Sequence, residues 1–269
     1  MSRQDLLLIL VVILLGCEEP ADYSLNTLDQ DLLVVEGMIT NERKPHAVRL
    51  SRPIKELNDD PEPVSGATVT VIVDNQITVF NEFPANSGFY FSDTVQAVVN
   101  KIYTLYINYQ DREYTATANM VPVTPLKPLR YSLVDEDKNL YKINFQDSDE
   151  PSIKEYWISW GHLPQFEGIP LQETIARTFH YSLSTIDVNQ AFKPDKEEIL
   201  FPAGSYVLRR KFSLSDDHQA FLRTFLSETE WRGSVFDVQM GNVHTNLSEG
   251  AIGYFAVSTV VADTTLILP

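Results

Sequence analysis

The chain has 269 residues, a formal net charge of −16 and a single cysteine. Nucleic-acid binding needs a basic footprint, which this composition lacks. One cysteine excludes an intramolecular disulfide, and the length suits one large or two ordinary domains.

Leu6 to Leu15 is an unbroken run of ten apolar residues. A membrane-spanning helix needs about 20, so the run fits the h-region of a signal peptide. Arg3 supplies the positive charge before it, and Asp5 weakens that charge. The run stops at Leu14-Leu15-Gly16-Cys17, which resembles a bacterial lipobox: an aliphatic residue three before the cysteine, a small one just before it, then Cys. Leu15 is bulkier than the usual residue at its position. The resemblance implies that residues 1–16 are a lipoprotein signal peptide cleaved between Gly16 and Cys17. It further implies that the Cys17 thiol carries lipid such as palmitate, which leaves no catalytic or metal role for it. Two or more acyl chains give a stable anchor. Glu18-Glu19 look like the surface-export signal of Bacteroidota lipoproteins, with a solvated tether as the plain alternative. Residues 17–31 are polar and acidic without periodicity, and read as a flexible tether.

From residue 32 the pattern is mostly period two. In "GATVTVIVD" (66–74), Val69, Val71 and Val73 share one face and Thr68, Thr70 and Ile72 the other. In "KIYTLYINY" (101–109), Tyr103, Leu105, Ile107 and Tyr109 align. Further strands are expected at 32–39, 46–51, 77–83, 88–93 and 113–119. Turn signals separate them at Asn41, Asp59-Asp60-Pro61, Asp74-Asn75, Asn86-Ser87-Gly88 and Asp111. Seven short strands predict an immunoglobulin-like β-sandwich over 32–122. Pro122, Pro125 and Pro128 remove ladder donors, so 123–128 is expected to be a stiff connector.

A second β-rich domain is expected over 129–269, with strands at 129–134, 140–146, 154–161, 172–183, 204–213 and 253–261. One helix is expected near 216–230. Ser215 is its N-cap, Asp216 and Asp217 favour its start, and Ala220, Phe221, Leu222, Phe225 and Leu226 form its apolar stripe. Arg209-Arg210-Lys211 is the only basic cluster, and strand alternation splits it between two faces.

Known catalytic motifs are missing. There is no Gly-x-Ser-x-Gly elbow, no His-Glu-x-x-His, no P-loop and no Gly-x-Gly-x-x-Gly. The five histidines, His46, His162, His180, His218 and His244, are scattered. Asp135, Asp137 and Asn139 imitate the start of an EF-hand loop. Leu140 and Gln146 stand where Gly and Glu are required, so a polar hairpin turn is the better reading. No cofactor or metal is expected.

Two stretches are candidate binding elements. In "EYWISW", Tyr156, Ile158 and Trp160 share one strand face, while Trp157 and Ser159 take the other. An exposed Trp157 would stack on a sugar ring or a partner; burial is the competing reading. In "GNVHTNLSEGAIGYFAVS" (241–258), Gly241, Gly250 and Gly253 permit positive φ or close backbone approach, and Asn242 and Asn246 suit turns. Asn242, His244 and Asn246 are the candidate binding residues there, against a purely structural loop.

The blocks "VVEG" (34–37), "VRLS" (48–51), "PVSGATVTV" (63–71), "GFYF" (88–91), "YTLYI" (103–107), "YTATANMVPV" (114–123) and the 241–258 stretch occur in an order that resembles a Bacteroidota outer-membrane lipoprotein family, domain of unknown function 4249. The resemblance runs from about 32 to 261 and is thin over 135–200. It implies an outer-membrane, lipid-anchored location, with the periplasmic or surface-facing leaflet left open. It also implies an accessory role in capture or import beside a TonB-dependent receptor, and it supplies no catalytic residues. The expected function is therefore a non-enzymatic accessory protein assisting ligand capture or import, its ligand open. A structural or adhesive surface protein is the alternative, and a hydrolase built from distant acids the third reading.

Overall fold

The computed structural model describes residues 31–54, 59–185, 188–191, 198–232 and 242–269. The expected signal peptide with Gly16, the lipidated Cys17, the tether up to residue 30, and Gly241 lie outside the described residues.

The alternating stretches of the first half form β1 (Leu33–Thr40), β2 (Ala47–Ser51), β3 (Thr68–Val73), β4 (Gln76–Glu82), β5 (Phe89–Ser92), β6 (Ile102–Tyr109) and β7 (Arg112–Asn119). Val69, Val71, Tyr103, Leu105 and Ile107 are buried, as their spacing predicts. Asp74 and Asn75 both adopt positive φ (45° and 65°) in the two-residue turn from β3 to β4. Gln110 and Asp111 do the same (51° and 59°) between β6 and β7. Such turns match the twist of paired strands, and Asn and Asp tolerate the conformation.

The second half forms β8 (Tyr131–Asp135), β9 (Leu140–Ile143), β10 (Ser152–Ser159), β11 (Ile175–Ser182), the short turn α1 (Val188–Ala191), β12 (Phe201–Pro202), β13 (Tyr206–Ser213), the helix α2 (Asp216–Glu228), β14 (Ala251–Ser258) and β15 (Val260–Leu266). The Asp135–Asn139 segment is the β8–β9 turn, where Asp135 Oδ1 accepts from the Lys138 amide at 2.9 Å. Among the described residues, no helix is long and apolar enough to cross a membrane.

The expected two-sheet sandwich is replaced by one continuous sheet. Its order is β14-β1-β2-β5-β4-β3-β6-β7. β14 pairs in parallel with β1, from Leu33 opposite Ala251 to Thr40 opposite Ser258. The far edge returns toward the start. Leu247 bridges Ala116 of β7, and the Ser248 amide donates to the Thr115 carbonyl at 2.8 Å. The eight strands are thus a nearly closed, barrel-like sheet around Val35, Leu50, Leu105, Ile107 and Phe255. Alternation reports which face a residue takes, not which strand it pairs with. A parallel partner from the end of the chain leaves no local mark. β14 comes from beyond the connector expected at 123–128, which is itself without strand or helix. Residues 31–53 and 61–269 form one compact unit.

The single strand expected at 253–261 is two strands in two sheets. β14 ends at Ser258 and β15 begins at Val260. At the switch, the Ser213 amide donates to the Thr259 carbonyl and the Thr259 amide donates to Ser213 Oγ, both at 2.9 Å. β15 then completes an antiparallel sheet of order β11-β10-β13-β15; a third sheet has the order β12-β9-β8.

Ser215 caps α2, its side chain accepting from the His218 amide at 3.3 Å. Leu222 and Leu226 of the expected stripe are buried; Phe225 is exposed, and His218 and Gln219 are buried in addition. Leu222 and Leu226 pack with Ile153, Phe212 and Val260, covering one end of the four-stranded sheet.

Candidate functional site

The four-stranded sheet is covered by α2 only at the end near Ile153 and Phe212. Toward its other end the same face is open among the described residues. Trp157 on β10 lies opposite Arg177 on β11 and Leu208 on β13. Trp157 is 37% exposed, and Tyr206, Leu208 and Leu266 on the neighbouring strands are exposed too. An open groove of about 600 Å³ runs over this face, lined by Trp157, Tyr206, Leu208, Arg210, Glu42 and Lys44 among others. The expected alternation holds: Tyr156 and Ile158 are buried on the opposite face.

Glu155 organises this surface from beneath. It is 1% exposed. Its Oε1 accepts from Trp157 Nε1 at 2.8 Å and from Arg177 Nε at 2.7 Å; its Oε2 accepts from Arg210 Nη1 at 3.1 Å. Burying a carboxylate is costly unless it is paired and hydrogen-bonded, and here two guanidinium groups and an indole meet it. Arg210 reaches on to Glu42, whose Oε2 also binds Lys44 at 2.7 Å. Burial pulls the Glu42 carboxyl upward, but Lys44 and Arg210 outweigh it and hold the group below the usual carboxylate range. The Arg177 guanidinium lies 4.8 Å from the ring centres of both Trp157 and Phe179. This cation–π geometry fixes the arginine against the indole.

The result is a partly exposed aromatic surface fixed by charged neighbours. The indole is held by a charged acceptor, an arginine lies beside it, and Leu208 and Ala262 contribute apolar ground. Such a face stacks against a flat or apolar group and offers donors to acceptor atoms at its rim.

The other candidates fall elsewhere. Asn246 is a clasp at the seam of the barrel-like sheet. Its Nδ2 donates to the Thr117 carbonyl of β7 (3.1 Å) and the Phe255 carbonyl of β14 (2.8 Å), and its Oδ1 accepts from the Phe255 amide at 3.1 Å. His244 docks on α2. Its amide donates to Thr224 Oγ1 at 2.9 Å, and its Nε2 meets Asp217 Oδ1 at 2.8 Å. Asn242 is exposed. None of the three touches the Trp157 groove.

Around Asp217 the fold gathers a cluster that the scattered histidines did not announce. Tyr254 donates its hydroxyl to Asp217 Oδ2 at 2.7 Å, and the buried His218 ring stacks on Tyr254 with centres 5.0 Å apart. Burial pushes the His218 imidazole down to about 4. Burial and then Asp217 push the Tyr254 hydroxyl up. Burial raises the Asp217 carboxyl, yet the bonds from Tyr254 and His244 leave it below its ordinary value.

The residues that sequence reasoning missed at the open face are Glu155, Arg177, Arg210 and Glu42. The available signal was alternation within "KEYW" and "RRK", which places Glu155 with Trp157 and isolates Arg210 from Arg209 and Lys211. The strand pairing that brings these groups together is non-local.

Fold and face together define a mainly β protein with a nearly closed eight-stranded sheet and a second sheet that presents an aromatic, arginine-flanked surface. The chain belongs to the family described as a domain of unknown function (DUF4249), whose model matches residues 18–264. No curated protein matches the chain.

Proposed function

We propose that this protein is a lipid-anchored outer-membrane accessory protein that binds a ligand or partner through the Trp157 face and assists its import by a TonB-dependent receptor. The observation that carries the reading is Trp157 itself. It is a half-exposed indole locked to a buried carboxylate, on the one end of the sheet that α2 leaves open. Large exposed aromatic surface is unfavourable unless something covers it for part of the time. The Leu14–Cys17 lipobox resemblance supports an anchor at Cys17, and Glu18-Glu19 support display at the surface of a Bacteroidota cell. The chain contributes binding, not turnover.

The test is a crosslinked pull-down of the tagged full chain from outer membranes of its native host, read by mass spectrometry. A TonB-dependent receptor at near-equal amount is expected. Recovery without any barrel partner overturns the import role.

A further inference from the structure

The face of the four-stranded sheet opposite Trp157 carries a buried cluster of cations. Lys154 on β10 lies directly opposite Lys211 on β13, with Arg209 one step along the same face. All three are buried, Lys154 to 7% exposure. Like charges directly opposed on neighbouring strands repel, and burial strengthens the repulsion.

Two of the three are compensated. Lys211 pairs with Glu150 at 2.5 Å and donates to Thr124 Oγ1 at 2.9 Å. Arg209 is clamped by Asp263 and donates to the Lys127 carbonyl at 2.9 Å. Lys154 donates only to the Gln146 backbone carbonyl, and no carboxylate among the described residues lies within ion-pair reach of it. The two carboxylates that line the same cavity also serve other groups: Asp147 pairs with His180 at 3.0 Å, and Asp149 with Lys127 at 2.8 Å. Burial, then Lys211, pushes the Lys154 ammonium below its ordinary range, and the charge of Asp147 offsets this only in part.

Beside Lys154 is a cavity of about 20 Å³, lined by the cationic residues Lys127, Arg130, Lys154, Arg209 and Lys211 and by the carboxylate residues Asp147 and Asp149 among others. That is room for one water-sized occupant. A water would bring no charge of its own to this excess of cations over carboxylates. We propose that this cavity binds one monatomic anion of chloride size, held between the Lys154 and Lys211 ammonium groups. The anion compensates Lys154 and relieves its repulsion from Lys211. The site is on the opposite face from the Trp157 groove and does not depend on what that groove binds.

The experiment is thermal unfolding of the full chain at constant ionic strength in sodium chloride, sodium bromide and sodium gluconate, with crystals grown in bromide for anomalous scattering. Halide raises Tm over gluconate by about 2 °C or more and saturates. One bromide peak appears beside Lys154, and the Tm of Lys154→Met no longer responds to halide. Equal Tm in halide and gluconate overturns the proposal, as does a cavity that holds water but no bromide. A full halide response retained by Lys154→Met also overturns it. If that variant does not fold, the wild-type scans and the bromide map decide alone.

Discussion

Trp157 donates its indole N–H to Glu155, two residues earlier on the same strand, across 2.8 Å. Residues two apart on a strand share a face, so the bond fixes the partly exposed ring over its own strand. The same Glu155 oxygen accepts from Arg177, which lies over the ring. Indole orientation, arginine position and the buried charge are therefore one arrangement.

Glu155→Gln keeps the shape and removes the charge. Arg177 and Arg210 then share a neutral partner in a buried place. Stability falls by on the order of 2–3 kcal/mol, because a buried pair broken on one side leaves its partners uncompensated. Urea unfolding measures the loss, and Trp157 fluorescence shifts as the indole loses its charged acceptor. An unchanged unfolding midpoint would contradict the arrangement.

Asn246→Ala opens the seam between β7 and β14. Three hydrogen bonds vanish, leaving the Thr117 and Phe255 backbone groups to find other partners. The expected cost is about 2 kcal/mol. Hydrogen exchange at the Phe255 amide quickens, while partner binding at the Trp157 face is unchanged. Asn246→Asp keeps one acceptor but turns a carboxylate oxygen toward the Thr117 and Phe255 carbonyls, so it costs at least as much as alanine.

Gly253→Ala tests the parallel pairing of β14 with β1. Gly253 has φ +99°, and a Cβ there would stand 2.2 Å from the Val35 carbonyl oxygen. The loss is expected on the order of 3 kcal/mol. Gly168, with φ +82° and nothing within 4 Å of a Cβ, bears the conformational strain without the clash. Gly168→Ala should cost only about 1 kcal/mol. Comparing the two urea midpoints separates backbone strain from close approach.

The buried His218 sets an acid limit. Its pKa falls from 6.5 to about 4 on burial, so the fold favours the neutral ring. The stability from this group is whole above pH 6.5 and is lost as pH drops toward 4, by on the order of 3 kcal/mol. His218→Phe keeps a ring against Tyr254 and flattens that slope. A remainder persists from His46, which burial and then Lys44 also hold below its ordinary value. Chemical unfolding from pH 7 to 4 reads the difference, and identical slopes would contradict it.

Strand positions in the first half were legible because valine, tyrosine and leucine alternate with polar residues there, and Asp74-Asn75 marks a tight turn. The barrel-like closure was not, because it rests on a parallel pair whose partners are some two hundred residues apart in the chain. Asn246 shows the same limit. An asparagine in a Gly- and Asn-rich loop suits a turn or a ligand equally, and only the approach of β7 makes it a clasp. Trp157 was legible as one face of a strand. Its exposure depended on where α2 stops covering the sheet, which no local pattern records. Phe225 reads as core by helical spacing and is exposed, because α2 turns inward the side of its stripe that carries Leu222 and Leu226, with His218 beside them.

The most direct test of the central claim repeats the crosslinked membrane pull-down with wild type and Trp157→Ala compared in one isotope-labelled experiment. Trp157 is a surface residue, so the variant should reach the membrane in normal amount. The account predicts that a TonB-dependent receptor is recovered with wild type and falls at least about tenfold with the variant, as loss of a central aromatic anchor does. Equal recovery with both proteins would contradict the assignment of recognition to the Trp157 face.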